Sequence, residues 1–388
     1  MSLGPLDGFT IGITADRRWE QQAELLTRRG ASVLHGPTIS TLYLGSDEDL
    51  RRATLDLISR PPDYLVATTG IGIRAWMETA SASGLAEPLL AALAGTKVIA
   101  RGPKAAGVVE SFGLSVWERS PTEQMAALQS RLLDAPLAGR VVAIQEHGLA
   151  TPDLTASLKA AGATVIAVPV YRWRLPDDPR PALRLIEEAC AGRLNAITFT
   201  SAPAVHNLFA IAGNQGLADA LRNACNSDIT AACVGPVCAE GARQEGIEMP
   251  LAPEVGRLGL LVRTLSEHFE GRRRLFLVDG VELVVQGSVI EVDGARAELT
   301  PLERSLLEAL AARPGAVVSR ASLLAQAWGS AQTDPHVLEA TIGRLRRKLG
   351  PVGGAVVTSP GRGYRFVAGG VGPVPPGASQ PRAVPYGT

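Results

Sequence analysis

The chain has 388 residues, of which 46% are hydrophobic and 20% are charged, and its formal net charge is zero. That length exceeds one ordinary domain, so we expect at least two globular units. No apolar run reaches the roughly 18 residues of a membrane-spanning helix, and the N-terminus lacks a basic-then-apolar leader. These features favour a cytoplasmic protein and exclude a membrane partner.

Four cysteines lie in the middle of the chain: Cys190, Cys225, Cys233 and Cys238. They form no C-x-x-C pair and no spacing typical of metal ligands. We therefore expect reduced thiols in a protein core, and no metal site.

The first 265 residues contain an internal duplication with an offset of about 132 positions. Four pairs of landmarks share this spacing: Gly30 with Gly162, Pro37 with Pro169, Thr69 with Ser201, and Gly102 with Gly235. Each copy alternates apolar strands with helices, a pattern typical of parallel sheets with helices on both faces. The sequence thus predicts an α/β region of two doubly wound lobes.

Ligands on such sheets bind beyond the C-terminal strand ends, where the following helix starts offer N–H donors. Small, hydroxyl-bearing or cationic residues occupy the predicted ends. The candidate ligand-cleft residues are Arg17, Thr68, Thr69, Gly70, Arg101, Lys104, His147, Tyr171, Thr200, Ser201 and Gly235. A polar or anionic small molecule would suit them. The alternative is that such residues only form turns and helix caps, as in any α/β protein.

Residues 7 to about 265 resemble uroporphyrinogen-III synthase. The resemblance lies in four stretches: D-Y-L-V-A-T-T from Asp63, V-P-V-Y-R from Val168, N-A-I-T-F-T-S-A-P-A-V from Asn195, and A-C-V-G-P-V from Ala232. That enzyme closes hydroxymethylbilane into a macrocycle and inverts its last ring. By resemblance, region 7–265 has lobe one at 7–36 with 173–265, and lobe two at 39–170. No cofactor is implied.

The resemblance also implies a role for Tyr171, which aligns with a cleft tyrosine of the family. It would be the catalytic residue if the chain is active, orienting the leaving hydroxyl or donating a proton. The alternative is a ring packed at a strand end with its hydroxyl in water.

Three departures from the synthase pattern point to a reshaped cleft. Gly235–Cys238 reads Gly-Pro-Val-Cys where Gly-Pro-Thr-Thr is common, and Gln145–Gly148 replaces an Arg-Gly. Two of the four residues in Thr69–Gly72 are glycine, so this stretch carries unusually few side chains. The synthase substrate carries eight carboxylates, which the added Glu146 should repel. These changes predict a cleft that binds without turnover.

Residues 266–288 read as a linker, with Arg272, Arg273 and Arg274 as a solvated charge run; the alternative is that the run adds a phosphate contact. Residues 289–367 follow with the pattern of three helices and a hairpin. Thr300 to Glu303 form a capping box with proline at the first helical position, and Ser319 caps a second helix. This order is that of a winged helix, an α+β module. The Gly/Pro-rich residues 368–388 are expected to be disordered.

The third helix of this module, Asp334–Leu349, combines an apolar stripe with a basic side. The stripe is formed at helical spacing by Leu338, Ile342, Leu345 and Leu349. Opposite it lie His336, Ala340, Gly343, Arg344 and Arg347, with Arg346 and Lys348 on the flanks. Guanidinium groups bind phosphates or the O6/N7 edge of guanine. The alternative is a solvated basic face.

Residues 300–367 carry nine lysines and arginines against four acidic residues, although the chain as a whole is neutral. Their sequence resembles the OmpR/PhoB-type winged-helix DNA-binding domain in L-T-P-L-E-R from Leu299, L-E-A-T-I-G-R-L-R-R-K-L from Leu338, and S-P-G-R-G-Y-R-F from Ser359. The resemblance implies a recognition helix in the major groove and a wing that touches the DNA backbone or minor groove.

The DNA-binding candidates are His336, Ala340, Thr341, Gly343, Arg344, Arg346, Arg347, Lys348 and Arg362. The family often has histidine where Thr341 stands and a larger residue at Gly343. The operator sequence therefore does not transfer.

Three functions remain open. The chain is a transcriptional regulator whose synthase-like region senses a small molecule, such as an anionic tetrapyrrole, with a link to nitrate or nitrite assimilation; or it is an active synthase with added DNA binding; or its front region is a dimerisation scaffold. The expected partners are double-stranded DNA and the small molecule. A homodimer on DNA is left open.

Overall fold

The computed structural model describes residues 3–43, 48–120, 125–148, 151–332, 334–369 and 371–373, and only the backbone at 41–43, 147–148, 171–173 and 371–373. It divides into two compact units, Met1–Ile39 with Pro176–Thr388, and Ser40–Leu175. The second unit is lobe two. The first contains lobe one, whose described residues run over 3–39 and from 176 to about 272, and the winged helix that follows.

The elements follow one another in chain order. Lobe one opens with β1 (Thr10–Ile13), α1 (Trp19–Thr27) and β2 (Ser32–His35). Lobe two comprises β3 (Ser40–Tyr43), α2 (Glu48–Ser59), β4 (Tyr64–Ala67), α3 (Gly70–Ala82), α4 (Ala86–Leu93), β5 (Lys97–Ala100), α5 (Pro103–Ser111), β6 (Val116–Arg119), α6 (Met125–Leu133), β7 (Val141–Gly148), α7 (Pro152–Ala160) and β8 (Thr164–Arg174).

The chain then returns to lobe one. Its remaining elements are α8 (Arg180–Cys190), β9 (Ala196–Phe199), α9 (Ala202–Asn214), α10 (Ala218–Ser227), β10 (Thr230–Cys233), α11 (Pro236–Gln244) and α12 (Leu258–Glu270). The winged helix has β11 (Arg274–Val278), β12 (Val281–Gln286), β13 (Val289–Val292), β14 (Ala295–Glu298), α13 (Pro301–Ala311), α14 (Arg320–Trp328), α15 (Pro335–Lys348), a 3₁₀ helix (Gly350–Ala355), β15 (Val356–Ser359), β16 (Gly363–Phe366) and β17 (Val371–Pro373).

The sheets carry the duplication that the sequence predicts. Lobe one has the strand order β10-β9-β1-β2, and lobe two contains β5-β4-β7-β8 within a six-stranded sheet. The offset of about 132 residues relates these strands pairwise in the same order. In lobe one, β1 and β2 of the first copy join β9 and β10 of the second. In lobe two, β4 and β5 of the first copy join β7 and β8 of the second. Each lobe is therefore built from parts of both copies of the repeat.

Strand residues of both lobes are buried on alternate faces by helices. In β9, Ile197 and Phe199 belong to one core while Ala196 packs in the opposite one with α12. In β4, Leu65 and Val66 likewise face different cores. Burial on both faces explains why these strands read as nearly continuous apolar runs.

The winged helix has one core under a five-stranded antiparallel sheet of order β14-β13-β12-β11-β17. Helices α13, α14 and α15 supply Leu306, Leu323 and Leu338 to that core, and Phe366 of the wing closes it. Thr300 caps α13 in a complete capping box and Ser319 caps α14, as predicted.

One sequence expectation about a chain segment is wrong, and a second is wrong in part. Residues 266–288 are not a linker, because they form the last turn of α12 and strands β11 and β12. Arg272 is exposed, as expected for a solvated charge, whereas Arg273 and Arg274 are half-buried and donate to Gln286 Oε1 and to the carbonyl of Ala311, respectively. Within the tail, residues 371–373 form β17 beside β11; residues 374–388 lie outside the described part of the chain.

Candidate functional site

Helix α15 buries its apolar stripe and exposes the opposite side. Leu338, Ile342, Leu345 and Leu349 are each at most 1% exposed. We call His336, Ala340, Gly343, Arg344 and Arg347 the outer face. His336, Ala340, Arg344 and Arg347 are exposed. A Cβ built at Gly343 would meet nothing within 4 Å, so the fold itself does not require glycine there.

Three other predicted DNA-binding residues turn inward. Thr341 is buried, and its hydroxyl donates to Val337 O at 2.7 Å. Arg346 donates through Nε and Nη2 to Val356 O at 2.8 and 2.6 Å, which ties α15 to the wing. Lys348 donates to Glu298 O and to the Glu303 carboxylate at 2.7 and 2.6 Å. Arg346 and Lys348 lie on the flanks of the helix, within reach of neighbouring elements. All three side chains therefore make contacts that stabilise the domain.

Arg344 has an intermediate position. Its side chain is 49% exposed, and its Nη2 donates to Thr341 Oγ1 at 2.7 Å while Nε lies 3.7 Å from Glu303 Oε1. The side chain is therefore partly oriented by internal contacts before any ligand approaches.

Arg362 lies in the turn of the wing between β15 and β16, where its N–H donates to Ser359 O at 3.0 Å. Its side chain is exposed. Arg365 on β16 is exposed as well, and it was not among the sequence candidates. Alternation along β16 would have indicated it, since Tyr364 and Phe366 on either side are buried.

Glu303 is a buried carboxylate that sequence reasoning recognised only as a cap. Its side chain is 1% exposed. Burial would raise the pKa of Glu303, but hydrogen bonds from Lys348 and from the backbone and hydroxyl of Thr300 outweigh burial, and the pKa is lowered. The charged form thus holds Lys348 and α15 against α13.

In lobe two, the end of β4 is filled by the side chain of Gln145 from β7. Gln145 Oε1 accepts from Thr68 N, Thr69 N and Thr68 Oγ1 at 3.1, 2.9 and 3.0 Å. The Thr69 hydroxyl caps α3 by accepting from Gly72 N. A Cβ at Gly72 would overlap the Gln145 amide nitrogen. The N–H donors expected to face a ligand here are therefore hydrogen-bonded to the protein itself.

The other lobe-two candidates gather at the neighbouring strand end. Arg101 follows β5, where its N–H donates to Ala67 O at 2.9 Å, and Lys104 is exposed in the first turn of α5. Gly70 lies against the Lys104 carbonyl, 2.5 Å from a Cβ built there, so helix packing requires a glycine. The side chains of His147 and Tyr171 lie outside the described part of the structure.

In lobe one, the candidates follow adjacent strands. Arg17 is exposed after β1, while Thr200 and Ser201 follow β9 and Gly235 follows β10. The Ser201 hydroxyl caps α9 by accepting from Ala204 N. The two residues that replace hydroxyls of the synthase pattern differ: Val237 is 66% exposed, and Cys238 is buried with its thiol directed to Phe199 O.

The four cysteines are unpaired; three are buried and Cys190 is half-buried, as expected for reduced core thiols. Burial raises the pKa of the Cys225 thiol to about 12. Among the described residues, no helix is both long and apolar enough to cross a bilayer.

Comparison with known proteins assigns a family to each region. Residues 20–262 match the family model "Uroporphyrinogen-III synthase HemD", and residues 294–366 match "Transcriptional regulatory protein, C terminal". A crystal structure of a mutant uroporphyrinogen III synthase from Thermus thermophilus superposes with a TM-score of 0.54 at 30% identity, covering 67% of this chain and 99% of that one.

Curated relatives agree with this division. An uncharacterized protein of Bacillus subtilis, YjjA, is 28% identical over 266 residues, which are 68% of this chain and 97% of that protein. The transcriptional regulatory protein CutR of Streptomyces coelicolor is 43% identical over 91 residues, 22% of this chain and 40% of that protein. The chain therefore belongs to the uroporphyrinogen-III synthase family and carries, after that region, a winged-helix DNA-binding domain of the transcriptional-regulator type.

Proposed function

We propose that the protein is a cytoplasmic transcriptional regulator whose synthase-like region senses a small molecule, and that an anionic tetrapyrrole is that molecule. The observation that carries the DNA-binding part of the proposal is that the residues of α15 fall into two groups, one bonded within the domain and one exposed. Arg346 and Lys348 are used inside the domain, whereas Arg347 and the small residues Ala340 and Gly343 remain on the outer face. Such a face admits close approach to a duplex groove, where Arg347 would reach a base edge or phosphate.

Binding would combine this helix with the wing. Arg362 and Arg365 are exposed on the hairpin that follows α15, so the wing offers cationic groups for phosphate contacts beside those of the helix. Phosphate contacts position a protein without reading sequence, so specificity would rest on the outer face. A homodimer on a two-part operator would double this surface.

The side chains at the end of β4 and after β10 favour a sensor role over catalysis. Gln145 occupies the donors of Thr68 and Thr69, and Val237 stands exposed where a hydroxyl is common in synthases. Both changes leave fewer donors to position an octacarboxylate substrate for ring closure, so we expect a cleft that binds a tetrapyrrole without turnover. The second candidate, an active synthase with added DNA binding, is favoured by the family match over residues 20–262.

Two measurements separate these candidates. In the first, the full chain is incubated with enzymatically made hydroxymethylbilane, and isomers I and III of the product are separated. We expect only the spontaneous isomer I; a catalytic excess of isomer III would show that the enzyme is active.

In the second, mobility shifts with genomic fragments are recorded at physiological ionic strength, with and without uroporphyrinogen III. We expect a fragment preference that the tetrapyrrole changes. A lack of preference in both conditions would rule out the regulator. Because sirohaem derives from this tetrapyrrole, fragments next to nitrate and nitrite assimilation genes are the first to include.

A further inference from the structure

Lobe one and the winged helix meet in a contact that we call the junction, formed by residues 3–9 on one side and by Arg273, strands β12 and β13 and the turn between them on the other. Gln286, the last residue of β12, is 1% exposed. Its Nε2 donates to Gly4 O at 2.7 Å and to Asp7 O at 2.9 Å. Its Oε1 accepts from Arg273 Nε at 2.6 Å, and Arg273 in turn donates to Leu3 O at 3.1 Å. Both the nitrogen and the oxygen of this buried amide are therefore hydrogen-bonded at the junction.

The backbones also meet directly. Ser288 N donates to Gly8 O at 2.8 Å, and Arg296 Nη1 lies 3.4 Å from Asp7 Oδ2. Gly8 has a positive φ of 79°, and a Cβ there would lie 2.5 Å from Gln286 O and 2.8 Å from Val289 N. The turn therefore packs on Gly8 closely enough to exclude any side chain.

The lobe-one side of the junction is anchored in the lobe's own core. Leu6 is fully buried, and the Phe9 ring stacks on Phe269 of α12 with centroids 4.2 Å apart. Only residues 271–273 separate the end of α12 from the start of β11. Residues 3–9 thus belong to lobe one while their carbonyls hold the winged helix, and the covalent connection between the two is as short as an ordinary turn.

Beside the junction, the contact gives way to a cavity of about 850 Å³. Phe9, Leu194 and Phe269 line it from lobe one, and Leu302, Arg304 and Glu308 line it from the winged helix. Across this space, in the part of the chain that the structure describes, Arg304 donates a long hydrogen bond of 3.5 Å to Gly192 O. The short hydrogen bonds between lobe one and the winged helix described above therefore lie in the junction.

We propose that the junction makes lobe one and the winged helix a single cooperative and rigid unit. A ligand-driven change in the synthase-like region then reaches DNA by reorienting this whole unit, not by releasing a flexibly tethered domain. The mechanical part of this inference is independent of the proposed function, whereas its consequence for DNA depends on it.

The test is hydrogen–deuterium exchange of the full chain over a urea series, read by mass spectrometry. Peptides from β1, β9 and β10 report on lobe one, and peptides from β12, α13 and α15 report on the winged helix. In the natural sequence both sets should lose protection at one common urea midpoint. In Gly8→Ala and Gln286→Ala, the winged-helix set should lose protection at a different midpoint from the lobe-one set.

Two matched variants control for strain and for loss of an amide. Gly294 has a φ of 77°, close to that of Gly8, but a Cβ there would meet nothing within 4 Å, so Gly294→Ala repeats the backbone strain without the clash. Gln326→Ala removes an exposed amide whose Nε2 donates to Ser322 Oγ at 3.0 Å within α14 itself. Both controls should keep one common midpoint.

Separate midpoints in the natural sequence, a common midpoint in both junction variants, or the same separation in Gly294→Ala would each overturn the proposal. Mobility shifts of the same proteins distinguish this from failure of the proposed function. If the natural protein binds no DNA but the exchange pattern is as expected, the rigid unit stands and the regulator does not.

Discussion

The Lys348 ammonium lies 2.6 Å from Glu303 Oε2, which joins the last turn of α15 to the first turn of α13. The same carboxylate oxygen accepts from Thr300 N, so one buried side chain closes a helix cap and anchors a second helix. Basic charge near the end of α15 is thereby used to fix the angle at which the outer face is presented.

We expect Lys348→Met to destabilise the winged helix by about 3 kcal/mol, the low end of the range for breaking a buried ion pair, because it leaves the Glu303 carboxylate without its main partner. Urea unfolding followed by exchange of α13 and α15 peptides measures this. Arg347→Met removes the same charge one residue earlier from an exposed position and should leave the midpoint unchanged. Equal effects of the two variants would contradict the anchoring role.

The stability of the winged helix should depend on pH through Glu303. Its folded pKa is lowered from the ordinary value of 4.5, so the ionised form contributes stability above that value and loses it as pH falls through the folded pKa. The urea midpoint of α13 peptides should therefore be steady from pH 7 to 5 and decline below about pH 4.5. Glu303→Gln should lower the midpoint at pH 7 and reduce this decline. A decline of equal size in the variant would assign it to other carboxylates.

Arg347 and Arg346 are neighbours with different surroundings, which separates binding from folding. Arg347→Ala should weaken specific DNA binding by roughly 1–3 kcal/mol and leave unfolding unchanged. If Arg347 contacts phosphate instead, the loss of affinity should be uniform across sequences and the salt slope should fall by about 0.9.

Arg346→Ala should lower the stability of the winged helix by about 2 kcal/mol, because Val356 O loses a charge-assisted donor. Fluorescence anisotropy on operator and random duplexes measures the DNA affinity of both variants, and thermal unfolding measures their stability. Unchanged DNA affinity in Arg347→Ala would remove that residue from the interface.

Gln145→Ala should destabilise lobe two by about 2–3 kcal/mol, since the Thr68 and Thr69 N–H groups lose their acceptor in a buried site. Gly72→Ala should have a comparable effect by displacing the same amide. Gly84→Ala is the contrasting position, where a Cβ meets nothing within 4 Å and only backbone strain at a φ of 69° is added. Exchange of β4 and β7 peptides in urea gives the midpoints. Wild-type stability of Gln145→Ala would mean that another group replaces the amide.

The thiols should be nearly inert in the native protein. With its pKa raised to about 12 by burial, Cys225 is protonated at pH 8 and closed to solvent, so a disulfide reagent should not modify it until the protein unfolds. The half-buried Cys190 should react first and slowly, because burial raises its pKa as well. Mass mapping after timed labelling identifies the order. Rapid labelling of Cys225 would show that α10 opens readily.

Local patterns in the sequence determined much of this protein. The spacing of Leu338, Ile342 and Leu345 is set by helical geometry alone and predicted the buried side of α15, and the Thr300–Glu303 capping box predicted where α13 starts. The repeat of about 132 residues predicted two lobes because each repeat element keeps its own strand and helix pattern wherever it packs.

Only the tertiary structure decided which polar side chains form hydrogen bonds inside the protein. Glu303 and Lys348 are 45 positions apart, and Gln286 bonds to Gly4 across 282 positions. A charge on a helix flank or an amide at a strand end is solvated or buried according to which distant element passes beside it, and periodicity carries no information about that neighbour. For the same reason residues 266–288 read as a linker, although Arg273 and Gln286 help to attach the winged helix to lobe one.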